Sequence, residues 1–243
     1  MSLSVAPQPA VKVMLPVAYQ CFNSTGDDVV GSFDGQVDLE TLGVYRISDA
    51  QNRFVVLGCN TDAFTANSPT RRGLYDHSYY AGCFTYCRDK GSAQDGRCAS
   101  VGCCQVDIPP GLTDNAVTFK NWGRQEWSPC DYAFLVEKNY TFQVSDLHMD
   151  GELVSKPVWL DWAIRDKGSL SCGEAKNRSG YACIGANSEC VDESVKGTGY
   201  FCNCKKGFEG NPYDEAKNGC TSNYTTLFFQ VQLLPILFLG FET

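Results

Sequence analysis

The residues able to do chemistry in this chain are above all its cysteines: 14 among 243 residues. No C-x-x-C pair occurs, and the two histidines, His77 and His148, lie far upstream of the C-terminal cysteine group, so the spacing is not that of a zinc cluster. Thiols in this number belong to a disulfide framework, which persists only in an oxidising compartment. The adjacent Cys103 and Cys104 read as halves of two separate structural bridges. Both histidines read as surface or loop residues rather than general bases. No G-x-S-x-G elbow is present, and nothing in the spacing of the 28 acidic residues selects a hydrolytic pair. The chain reads as no enzyme, with no cofactor and no metal site.

Charge narrows the partners. A net charge of −8 and a pI near 4.8 exclude a nucleic-acid binder, whose phosphate partners need a basic face. The doublets Arg71-Arg72 and Lys205-Lys206 are solvated surface pairs. Asn-x-Ser/Thr sequons at Asn23, Asn139, Asn177 and Asn223 are candidate glycosylation sites and agree with secretion. Four tryptophans, Trp122, Trp127, Trp159 and Trp162, could stack on sugar rings. Trp159 and Trp162 are three apart and cannot share one face of a strand, so at least one is expected in the core.

Strands must position these groups. Val11, Val13, Leu15, Val17, Tyr19 and Cys21 alternate with mostly polar or small residues, the period of a half-buried strand. Further runs cover 44–47, 54–59, 79–86, 101–108, 132–136 and 158–164. Clusters such as Asn23-Ser24-Thr25-Gly26-Asp27 and Pro109-Pro110-Gly111 are turn chemistry. The fold class is therefore all-β and disulfide-rich, with a cysteine-rich β domain over 11–165. Its eight cysteines, Cys21, Cys59, Cys83, Cys87, Cys98, Cys103, Cys104 and Cys130, allow 105 pairings, among which spacing does not choose. Residues 145–156 read as an exposed loop, and 166–171 as a polar connection to a small module over 172–220. That module holds Cys172, Cys183, Cys190, Cys202, Cys204 and Cys220, which by spacing alone allow 15 pairings. It is too small to fold on burial alone, so cross-links must constrain its unfolded state.

The order of gaps in the module, with C-x-C at Cys202 and Cys204 ahead of Gly207, Phe208, Gly210 and Tyr213, resembles the EGF-like domain. That resemblance implies the pairs Cys172–Cys190, Cys183–Cys202 and Cys204–Cys220. Gly168 to Ser171 lack the acidic and amide residues of the calcium-binding EGF subtype, so no calcium site is expected. A wider resemblance covers about residues 11 to 220. Leu15-Pro16-Val17-Ala18-Tyr19-Gln20-Cys21, Gly43-Val44-Tyr45-Arg46-Ile47-Ser48 and Phe54-Val55-Val56-Leu57-Gly58-Cys59-Asn60 resemble the extracellular region of plant wall-associated receptor kinases. So do Gly102-Cys103-Cys104-Gln105-Val106-Asp107-Ile108-Pro109, Ser128-Pro129-Cys130-Asp131-Tyr132-Ala133-Phe134-Leu135-Val136 and Pro157-Val158-Trp159-Leu160-Asp161-Trp162-Ala163-Ile164.

The resemblance implies a non-catalytic extracellular receptor fragment, at the outer face of the plasma membrane, that binds cell-wall polysaccharide: pectin, galacturonan or an oligogalacturonide. The alternative is a structural interaction module, an EGF-like spacer that pairs with another receptor or a wall protein. No Gly-rich ATP loop, His-Arg-Asp or Asp-Phe-Gly triplet occurs, so the chain has no kinase. Residues 1–20 lack an uninterrupted apolar signal segment. The apolar tail within 221–243 is broken by Gln230, Gln232 and Pro235 and is short for a membrane span. The chain is therefore expected to be truncated at both ends. Pectin is a polyanion, so binding by so acidic a chain is expected to be weak and to gain from salt or calcium. That holds unless the fold gathers several of Lys12, Arg46, Arg53, Arg71, Arg72, Lys205 and Lys206 on one face.

Overall fold

A computed structural model describes residues 9–23, 29–39, 43–66, 79–121, 125–149, 154–165, 170–193, 199–215 and 219–222. His77, Arg71, Arg72, Trp122, Asn223 and the apolar tail lie outside the described residues. The chain divides into two compact units, one over Pro9–Trp162 and one from Ala163 onward.

The first unit is built around its most apolar runs. Strands β6 (Asn52–Leu57) and β11 (Cys130–Glu137) pair antiparallel and are buried along nearly their whole length. A run with apolar residues on both faces must be covered on both. Among the described residues they sit inside a five-stranded sheet. Its order is β3 (Val29–Phe33), β2 (Ala18–Phe22), β11, β6, β9 (Cys103–Asp107). Alternate residues feed two cores. Phe54, Val56, Ala133 and Leu135 enter one, and Val55, Leu57, Phe134 and Val136 enter the other.

The first core is closed by two further sheets. One contains β1 (Ala10–Pro16), β12 (Ser155–Trp162) and β5 (Tyr45–Ile47), and contributes Val158, Leu160 and Ile47. The other contains β4 (Val37–Asp38), β10 (Asp114–Asn121), β7 (Thr61–Ala66) and β8 (Tyr79–Thr85), and contributes Ala63 and Val117. The second core is closed by irregular chain bearing Ala93, Phe142 and Leu147.

Two expectations are corrected here. The single alternating run from Val11 to Cys21 is cut at Val17 and serves two different sheets. Pro16 lacks an N–H donor, and Val17 instead donates to Val154 O at 3.0 Å. Residues 145–156 are not one exposed loop: Val144–His148 form a 3-10 turn whose Leu147 is 3% exposed, and β12 begins at Ser155. Leu147 gives that turn an apolar anchor, which a reading by polar composition overlooks.

One buried amide joins two sheets of this unit. Asn52 is fully buried. Its Nδ2 donates to Ser48 O and to Trp159 O, each at 2.7 Å, and its Oδ1 accepts from Trp159 N at 2.9 Å. Asn52→Ala removes all three bonds and strands their backbone partners. At about 1 kcal/mol per bond, the expected loss is about 3 kcal/mol in urea unfolding. A loss below about 1 kcal/mol would show that the amide does not tie the sheets.

The second unit is small and leans on its bridges. Helix α1 (Cys172–Ala175) opens with a capping box, in which Ser171 Oγ accepts from Glu174 N and Glu174 accepts from Ser171 N. Two short antiparallel pairs follow: β13 (Ser188–Asp192) with β14 (Tyr200–Cys204), and β15 (Phe208–Glu209) with β16 (Thr221–Ser222). Its core comprises Leu170, Cys172, Ala175, Cys183, Tyr200 and Cys202, so half of it is half-cystine. Tyr181 stacks on Tyr200 at 5.9 Å, and Tyr213 Oη accepts from Cys202 N at 3.0 Å.

Candidate functional site

The outer face of the four-stranded sheet carries an aromatic platform. Pairing places Phe64 opposite Gly82 and Thr118, and Asp62 opposite Phe84 and Lys120. Paired residues share a face, so these six side-chain positions lie together. Their chain neighbours Ala63, Thr65 and Val117 point the other way, into buried positions. Gly82 makes room for the Phe64 ring: a Cβ there would collide with Phe64 Cδ1 and come within 2.8 Å of Ala63 O. Lys120 Nζ stands 5.4 Å from the Phe64 ring centroid. Phe84 is 51% exposed. The result is one held ring, one open ring, and ammonium, carboxylate and hydroxyl groups between and beside them.

A second polar group gathers where β11 ends. Lys12 Nζ donates to Glu137 Oε2 at 2.6 Å and lies 4.8 Å from the Trp159 ring centroid. The Lys12 ammonium holds the Glu137 carboxyl below its usual range, and the Trp159 and Asn139 side chains also face that carboxylate. Glu137 and the next residue, Lys138, serve different groups. Lys138 Nζ is 3.7 Å from Asp107 Oδ1, on the side where Arg53 Nη1 donates to Gln105 Oε1 at 2.7 Å. Arg53, Gln105, Val106 and Asp107 line a shallow groove of about 210 Å³.

In the first unit the described cations singled out in the sequence are engaged separately. Lys12 is paired with Glu137, Arg46 is only 8% exposed, and Arg53 faces Gln105. Lys205 and Lys206 belong to the second unit. Trp127, Trp159 and Trp162 are all partly buried, and Trp162 pairs across the strand with Tyr45. Asn139 and Asn177 are exposed, and Asn23 is partly buried. His148 is exposed in the last turn of the 3-10 segment.

The cysteines are joined as Cys21–Cys130, Cys59–Cys87, Cys83–Cys104 and Cys98–Cys103 in the first unit. In the second they are joined as Cys172–Cys190, Cys183–Cys202 and Cys204–Cys220. Cys103 and Cys104 thus enter separate bridges. Adjacent residues of a strand point to opposite faces, so the two sulfurs serve opposite sides of the sheet. Among the described residues no cluster of His, Cys, Asp and Glu is placed to hold a metal ion, and no helix is long and apolar enough to cross a membrane.

Phe64, Phe84 and Lys120 were not singled out by sequence reasoning. The alternation in Thr61-Asp62-Ala63-Phe64-Thr65-Ala66 is a signal that finds the strand. Nothing local shows that Gly82 and Lys120 flank its ring.

Fold and surface define an all-β, disulfide-stapled module presenting an aromatic and charged face. The chain is 37% identical over 216 residues, 86% of its length, to Wall-associated receptor kinase 2 of Arabidopsis thaliana. It is 32% identical over 90% of its length to Wall-associated receptor kinase 4, and 31% identical over 88% to Wall-associated receptor kinase 1, of the same plant. It spans 27–28% of the length of these relatives. No family model matches the chain, and no solved structure matches it. The chain is a homologue of the wall-associated receptor kinases.

Proposed function

We propose that this chain is a non-catalytic, extracellular receptor segment that holds cell-wall polysaccharide of the galacturonan class on the outer face of its four-stranded sheet. We read residues 172–220 as an EGF-like domain and residues 11–165 as the ligand-bearing domain. The observation carrying the reading is the Phe64–Gly82–Phe84–Lys120 platform. Pyranose rings present apolar C–H faces that cover aromatic rings, and polar groups around a platform fix their orientation. Lys120 sits opposite Asp62, so the face has no local charge excess to overcome the chain's −8. Stacking therefore carries the binding and charge opposes it.

Isothermal titration with oligogalacturonide, as free acid and as methyl ester, at two ionic strengths and with or without calcium tests this. The methyl ester is expected to bind more tightly than the acid at low salt. The two should converge near 0.1 M salt, where the screening length is about 10 Å. Phe84→Ala should raise Kd about fivefold, or ~1 kcal/mol. Tight binding of the free acid at low salt that falls away steeply with salt would instead require a basic groove.

A second reading is favoured by β3, at the edge of the five-stranded sheet, where Val29, Val30 and Phe33 are 48%, 65% and 42% exposed. An exposed apolar edge suits a protein partner, as in an interaction module. No sugar binding, together with a loss of receptor or wall-protein pairing in Val30→Lys, would favour it.

A further inference from the structure

The turn after β11 sets a glycosylation sequon beside the Lys12–Trp159 pair. Tyr140 N donates to Glu137 O at 3.1 Å, which makes Lys138 and Asn139 the central residues of a turn. Asn139 and Thr141, the two residues a sequon requires, are both exposed. Tyr140 between them turns inward. Its ring meets Phe134 edge-on at 5.6 Å, and its hydroxyl donates to Asp146 Oδ2 at 2.7 Å. The inward tyrosine fixes the turn and leaves the acceptor amide outside. That amide faces the same Glu137 carboxylate that holds Lys12. The amide of Asn177 donates to its own helix at Gly173 O, 3.2 Å away.

We propose that Asn139 carries an N-linked glycan whose first sugars cover the Lys12–Trp159–Glu137 group. The donor class is a polyprenyl diphosphate-linked oligosaccharide. Asn139 Nδ2 bonds to the anomeric carbon, the bond from that carbon to the diphosphate oxygen breaks, the polyprenyl diphosphate leaves, and one amide proton is lost. Once attached, a pyranose lies against the indole edge and the Lys12 stem, while its hydroxyl and acetamide groups meet the Glu137 carboxylate. This face, which holds Lys12, Glu137 and Trp159, is then occupied by the chain's own carbohydrate. The Phe64–Phe84 platform on the four-stranded sheet stays open to a ligand. The inference rests on the extracellular part of the reading above.

The test uses the whole chain secreted from insect cells. Peptide N-glycosidase in heavy-oxygen water converts each occupied asparagine to labelled aspartate, which peptide mapping locates. Lys12 is then labelled with an amine-reactive ester in three natively folded samples: the glycosylated chain, the deglycosylated chain and Thr141→Ala. Label at residue 139 is expected, with Lys12 reactivity rising several-fold in the two glycan-free samples and exposed Lys90 unchanged. Occupied Asn23 or Asn177 beside a bare Asn139 would overturn the site while leaving secretion intact. Occupied Asn139 with unchanged Lys12 reactivity would overturn the covering. No occupancy at any sequon would overturn both this proposal and the extracellular reading.

Discussion

Removing the Cys21–Cys130 bridge as Cys21→Ala/Cys130→Ala should destabilise the first unit by about 4 kcal/mol, more than loss of any other bridge in it. The two cysteines face each other directly on β2 and β11 and close a loop of 109 residues. In the chain-entropy account, the loss grows with the logarithm of the loop that the bridge removes from the unfolded state. The three inner bridges shorten that loop, but it still spans tens of residues. The Cys98–Cys103 bridge closes only 5 residues, for which the same account gives about 2 kcal/mol. Alanine is chosen because a serine hydroxyl beside the second core would add a desolvation cost of its own. Urea unfolding followed by tryptophan fluorescence reads both variants. Equal losses from the long and the short loop would sink the entropic explanation. Reducing all seven bridges should abolish a cooperative transition, because the summed losses exceed the stability of about 5–15 kcal/mol typical of domains.

Glu193→Ala should cost the second unit about 3–5 kcal/mol, because it strands a buried guanidinium. The Arg165 and Glu193 side chains are 6% and 2% exposed. Arg165 Nη2 and Nε both donate to the Glu193 carboxylate, in the two-pronged geometry that suits this pair. Desolvating two charges offsets most of their attraction, so the intact pair adds little net stability. Deleting one partner, however, leaves the other a buried charge without its counter-ion. The double variant Arg165→Met/Glu193→Leu should therefore recover most of what Glu193→Ala loses. Hydrogen exchange at Tyr200 N, which donates to Ile164 O at 3.0 Å in the same unit, reports the opening. Protection that is unchanged in Glu193→Ala, or no recovery in the double variant, would contradict this account.

Much of the architecture was visible in short windows of sequence. Period-two alternation and continuous apolar runs marked β5, β6, β8, β9, β11 and β12 to within a few residues, and a single run covered β1 and β2. These patterns are local, since each records how one strand's own residues divide between faces. β3, β4 and β10 escaped because their windows mix small and polar residues, and β7, though it alternates, has only Thr and Ala at its inward positions. Asp62, Phe64, Thr118 and Lys120 face outward there, and only the partner strands make the pattern meaningful. Leu147 was missed for the same reason: a single apolar anchor has no period.

By itself the sequence determined that this chain is an all-β, cysteine-rich protein, kin to the wall-associated receptors. Composition and ordered motifs suffice for that, since neither depends on which strand lies beside which. Tertiary structure alone decided which of 105 pairings joins the first eight cysteines. It also decided that Phe64 rests on Gly82 beside Lys120. Apart from Cys98–Cys103, those outcomes depend on contacts between residues 18 to 109 positions apart, as in Phe64–Gly82 and Cys21–Cys130. Loop closure leaves no local trace in the residues it brings together.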